Sequence, residues 1–131
     1  MSQKMDIYSL IPSDKFDIER AEKLKEFSFE KIKPIVPDLL EWIQDMNWPV
    51  AKVVADYLIS ISDKIEPEIM DILNGEDDIW KYWCIEVFCI YSDRPMSANM
   101  STIVNRIKNN PTKLEKECEV YDQAVRALSK Q

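Results

Sequence analysis

The stretch Asp78-Ile79-Trp80-Lys81-Tyr82-Trp83-Cys84-Ile85-Glu86-Val87-Phe88-Cys89-Ile90-Tyr91 constrains this chain more than any other. At about 3.6 residues per turn it makes nearly four helical turns. Ile79, Trp80, Trp83, Cys84, Val87, Phe88 and Tyr91 recur at spacings of three and four, the period of a helix face. Tyr82, Ile85, Cys89 and Ile90 make most of the other side apolar too, and only Lys81 and Glu86 interrupt. A helix apolar nearly all round has to be covered on several sides. The segment therefore predicts a central helix against which other helices pack. Asp78, preceded by Asp77, is the expected N-cap. Pro95, after Ser92-Asp93-Arg94, is the expected stop.

The chain also repeats itself. A shift of 30 positions lays Pro37-Asp38-Leu39-Leu40-Glu41-Trp42-Ile43 on Pro67-Glu68-Ile69-Met70-Asp71-Ile72-Leu73, with every position keeping its class. The same shift lays Val53-Val54-Ala55-Asp56-Tyr57-Leu58-Ile59 on Trp83-Cys84-Ile85-Glu86-Val87-Phe88-Cys89. Two helices per period of about 30 residues is the mark of an α-solenoid. Residues 1–13 read as an irregular lead-in. A helix capped by Asp17 is expected through Phe27, and Ser28 is expected to cap a short turn. Further helices are expected from Pro34–Pro37 to Asp45, from Pro49 to Ile61, and from Ser97 to Lys108. A last helix is expected over residues 112–128, with Leu114, Cys118, Tyr121, Val125 and Leu128 inward. The predicted whole is one all-α domain over residues 1–131, with six or seven helices in stacked antiparallel pairs.

These pairs resemble HEAT-like repeats, carried here by Pro37, Leu40, Ile43, Asp45, Val50, Lys52, Ala55 and Leu58. A second resemblance rests on Leu10-Ile11-Pro12, Asp14-Lys15-Phe16-Asp17, Leu39-Leu40-Glu41-Trp42, Asp45-Met46-Asn47-Trp48-Pro49-Val50-Ala51, Asp77-Asp78-Ile79-Trp80-Lys81-Tyr82-Trp83 and Asn110-Pro111-Thr112. Over roughly residues 8–128 the chain resembles a family of small bacterial proteins known only as a domain of unknown function, the one numbered 5071. That resemblance implies no activity and supplies no catalytic residues.

Several chemistries are disfavoured by what the chain lacks. It has no histidine, which removes Ser-His-Asp and Cys-His catalysis and the usual zinc sites. Its single glycine, Gly75, leaves no Gly-rich phosphate loop. Cys84 and Cys89 stand five apart on one predicted helix and point in different directions, so they read as core residues. Three cysteines in apolar or helical settings fit a reducing compartment. No apolar signal core opens the chain, and no apolar segment is long enough to span a bilayer. The expected location is the cytoplasm. No cofactor is expected, and an enzyme is not.

Charge supplies the functional expectation. The formal net charge is −7, which disfavours nucleic acid and suits a basic protein partner. Residues 63–78 hold seven acids against Lys64. This cluster reads either as a solvated surface or as a partner-binding patch. Glu76-Asp77-Asp78 reads either as capping acids or as a cation site. The partner-binding candidates are Glu68, Asp71, Glu76 and Asp77, with Trp48 and Trp80 as aromatic anchors at helix starts. The leading expectation is a non-enzymatic protein-interaction module, in a sharper version an immunity- or antitoxin-like inhibitor of a basic bacterial toxin. The alternatives are a small-ligand-binding or carboxylate-based catalytic helical domain, and an assembly protein that self-associates.

Overall fold

A computed structural model describes residues 6–130, which contain helices and no strand. The chain divides into two compact units, Met1–Lys64 and Ile65–Gln131. The division falls just before the second copy of the repeated segment. Much of the predicted lead-in lies outside the described residues. Its remainder forms a 3-10 turn at Ile7–Leu10, where the Asp6 carboxylate accepts from the Tyr8 N–H.

In the first unit, α1 spans Ile18–Lys23 and runs on as a 3-10 turn, Leu24–Glu26. Asp17 caps it as expected. Its carboxylate accepts from the backbone N–H groups of Arg20 at 3.4 Å and Ser13 at 2.9 Å. Next come α2 at Phe29–Ile32, a 3-10 turn at Lys33–Ile35, and α3 at Val36–Glu41. Ser28 precedes α2, but its side chain makes no capping bond. α3 ends before the expected Asp45, and residues 42–44 continue as turns whose N–H groups bond three residues back. α4, Pro49–Ser60, starts with proline at its first position, where no N–H is needed. It buries Val50, Ala51, Val54, Ala55, Tyr57 and Leu58 and packs on α1.

In the second unit, α5 spans Glu66–Leu73 and α6 spans Asp78–Ile85. α6 passes directly into a π-helical segment, Glu86–Tyr91. The 30-residue shift holds for these elements. The start of α3 falls on the start of α5, and α4 falls within α6 and its π segment. α7 follows at Ala98–Asn109, capped by Ser97 onto the Met100 N–H at 3.1 Å. α8 is Lys113–Glu117 and α9 is Val120–Lys130.

Several expectations need correction here. The cap of α6 is Asp77, whose carboxylate accepts from the Trp80 N–H at 3.0 Å, and Asp78 turns inward instead. The last helix is two, because Glu119 takes a left-handed backbone with φ 63. That break rotates the inner stripe of α9. Val120, Gln123, Ala124 and Ala127 are buried, while Leu114 and Tyr121 are exposed. Small residues on this face allow close approach, and α9 packs on α6, the π segment, α7 and α8. The hub of this unit is therefore α9 together with α6, rather than α6 alone.

The π segment solves a packing problem. The Ser92 N–H bonds to the Val87 carbonyl five residues back, at 3.1 Å. The wider turn lets three successive residues, Val87, Phe88 and Cys89, all be buried. Lys130, at the end of α9, donates to the Ile90 carbonyl and, at 2.5 Å, to the Ser92 carbonyl. A cation thus closes the negative end of the helix.

Candidate functional site

The turn between α5 and α6 and the short helix α8 meet around one cleft of the second unit. It is built outward from a buried core of charge. Lys81 interrupts the apolar sequence of α6, and it is only 5% exposed. Its ammonium lies 3.0 Å from Asp78 Oδ1 and 3.2 Å from Glu115 Oε2. Arg106 on α7 holds both oxygens of Glu115, at 2.5 and 2.9 Å. The Thr112 N–H adds a bond to Glu115 Oε1 at 2.8 Å, and the Glu115 N–H returns one to Thr112 Oγ1 at 3.0 Å. This capping box starts α8 and ties it to α6 and α7. Two acids and two bases balance. Burial pushes the Glu115 carboxyl up, but the hydrogen bonds from Arg106, the Thr112 N–H and Lys81 outweigh it and hold the pKa at about 2.

Outside this network lies an open cleft of about 580 Å³, lined among others by Gly75, Glu76, Lys113 and Leu114. Gly75 sits in a close-packed turn. A Cβ there would stand 3.2 Å from the Asp71 carbonyl oxygen and 3.3 Å from that of Ile72. The tight turn sets Asp71, at the end of α5, near Glu76 and Asp77. All three are exposed, and among the described residues no cation pairs with them. Lys113 lies on the same cleft but is 3.9 Å from Glu117. Two large apolar side chains stand out beside these acids, Ile79 at 61% exposure and Leu114 at 55%. Ile79 also lines a second shallow cleft with Tyr82, Trp83 and Cys118, where the two rings meet edge to face at 4.9 Å.

The predicted partner-binding residues are not all placed alike. Asp71, Glu76 and Asp77 are exposed around one turn, and Trp80 is half-buried just after it. Glu68, expected on the outer surface, is half-buried; its Oε2 is shut from solvent and has no hydrogen-bond partner among the described residues. Trp48 belongs to the first unit. It is half-buried edge to face on Trp42, with ring centroids 5.6 Å apart, beside Ile11 and Pro12. Asp77 is engaged as a cap, as the capping reading of the acidic triplet has it, whereas Asp78 is the buried partner of Lys81. Cys84 and Cys89 are buried as expected. Burial pushes both thiols up, Cys89 to about 12, so neither is a ready nucleophile. Sequence reasoning missed Arg106 and Glu115 altogether. The available signal was the spacing of Thr112 and Glu115, the capping-box pattern.

Among the described residues, no helix is long and apolar enough to cross a membrane. No curated protein matches this chain. The profile of the domain of unknown function DUF5071 does match, over residues 10–128, which covers most of the sequence. The chain belongs to the DUF5071 family.

Proposed function

We propose that this protein is a non-enzymatic interaction module whose second unit binds a basic protein partner around the Gly75 turn. The observation that carries the reading is the exposed, unneutralised charge of Asp71, Glu76 and Asp77 beside the protruding Ile79 and Leu114. Surface acids that pair with no cation among the described residues steer a basic partner toward the turn. Exposed apolar side chains within a charged rim supply area that a partner can bury. The buried network supports this by fixing α6 and α8 as a rigid base. A HEAT-like pairing of helices, supported by the 30-residue offset of α3 and α4 from α5 and α6, suits a scaffold that binds along a face.

The test is capture from a native lysate, with wild-type protein and the double variant Asp71→Lys, Glu76→Lys run in parallel. Glu68 is left out because its carboxylate is partly buried. The reading requires basic proteins that wild type retains and the variant loses. Retention of the same proteins by both would refute it.

A further inference from the structure

We propose that a cleft in the first unit binds an organic cation of the quaternary ammonium class, against the rings of Trp42 and Trp48. The site is independent of the Gly75 turn. Asp38, Glu41 and Trp42 stand three and four residues apart along α3 and its end, so they share one side of it. The turn after α3 then folds back. The Asp45 carboxylate accepts from the Asn47 N–H at 2.8 Å, and the Asp45 carbonyl accepts from the Trp48 N–H at 3.2 Å. This brings Trp48 edge to face against Trp42, with ring centroids 5.6 Å apart and planes at 71°. Both rings are half-buried and line an open cleft of about 380 Å³, a volume in the range of small-molecule sites.

The lining sets the ligand class. Two indole rings at a steep angle form a corner, and an indole face attracts a cation within about 6 Å of the ring. Asp38 and Glu41 line the same cleft, and among the described residues no cation pairs with either. Among the described residues no Lys or Arg lines it. Arg20, which donates to the Ile11 carbonyl at 3.5 Å, is already held by Asp17 at 3.3 Å. A cation in the cleft meets the negative faces of the rings and two carboxylates, whereas an anion is repelled. Ile11 and Pro12 add apolar wall. A bare ammonium is strongly hydrated and gains little from such walls. The methyl groups of a quaternary ammonium bury against them while its charge reaches the rings. The same head group is carried by free choline-type molecules and by trimethylated lysine side chains.

The experiment titrates the full chain with choline and follows the indole N–H resonances of its four tryptophans by NMR. Saturable shifts at Trp42 and Trp48 are expected in the millimolar range, with Trp80 and Trp83 unmoved. Dimethylbutanol, the neutral isostere in which carbon replaces the charged nitrogen of choline, should bind about tenfold more weakly. Acetylated trimethyllysine amide is titrated beside choline, and the tighter of the two shows whether the site takes a free molecule or a protein side chain. Trp48→Leu keeps an apolar side chain but removes the ring, and it should weaken choline about tenfold, with Trp48→Phe restoring part of the loss. Glu41→Gln, at an exposed position, should weaken choline about threefold and leave the urea midpoint unchanged, so it serves as the test if Trp48→Leu does not fold. The proposal is overturned if choline at tens of millimolar leaves both indoles unmoved, or if the neutral isostere binds as tightly. It is equally overturned if either folded variant keeps the wild-type affinity, since the two tryptophans would then only staple the turn.

Discussion

Glu115 has no exposed surface and is nonetheless ionised, because Arg106, Lys81 and the Thr112 N–H converge on its two oxygens. Its pKa of about 2 in the fold lies below its ordinary 4.5. A depressed carboxyl stabilises the folded state in full above the unfolded value, and that stability drains as pH falls toward the folded value. Stability measured by urea should therefore fall between pH 4.5 and about 2. Glu115→Gln should flatten that fall. At neutral pH it should cost about 3–5 kcal/mol, because Arg106 loses its partner and Lys81 one of two. A cost below about 1 kcal/mol would mean that the network contributes little to the fold.

At the scale of the element, the long apolar helix behaves differently along its length. Phe88 is buried where the π turn widens the helix, whereas Trp83 is half-buried at a surface cleft. Phe88→Ala should cost about 3–5 kcal/mol, and Trp83→Ala distinctly less. Equal costs in thermal melts would show that Trp83 is a core residue after all. Glu119 offers a second check. With φ 63 it sits where a β-branched side chain is strained, so Glu119→Val should cost about 1–2 kcal/mol while Glu119→Gly changes stability by less. If valine is as well tolerated as glycine, the left-handed break is not a fixed feature.

These elements also show what was legible in the sequence. The caps at Asp17 and Ser97, the Pro49 start and the 30-residue offset were all readable, because each is a local rule with a local signal. The π turn and the Glu119 break were not. No glycine or proline marks either one, and both serve tertiary packing, the first under Phe88 and the second under the small face of α9. The single inner stripe assigned to residues 114–128 failed because one left-handed residue, Glu119, resets the helical phase, so α8 and α9 do not share a stripe. Asp71, Glu76 and Asp77 were found as surface acids because clustered charge is visible in sequence. Glu115 hides, because a buried acid looks in sequence like any acid of an exposed helix.

At the scale of the whole molecule, a net charge of −7 coexists with a charge-balanced buried network, so the excess must reside elsewhere. Part of it lies at the Gly75 turn, where Asp71, Glu76 and Asp77 have no cationic partner among the described residues. Changing the exposed Asp71 and Glu76 should leave folding nearly untouched, within about 0.5 kcal/mol per site. The most direct test of the interaction reading is the rate at which a captured basic partner associates with the wild type and with the Asp71→Lys, Glu76→Lys variant. Both rates should be measured at low salt and again near physiological salt, where charges more than about 8 Å apart are screened. The account predicts a wild-type rate that drops as salt rises, and a variant rate at least severalfold lower at low salt with little salt dependence. Equal rates for the two proteins at low salt would contradict it.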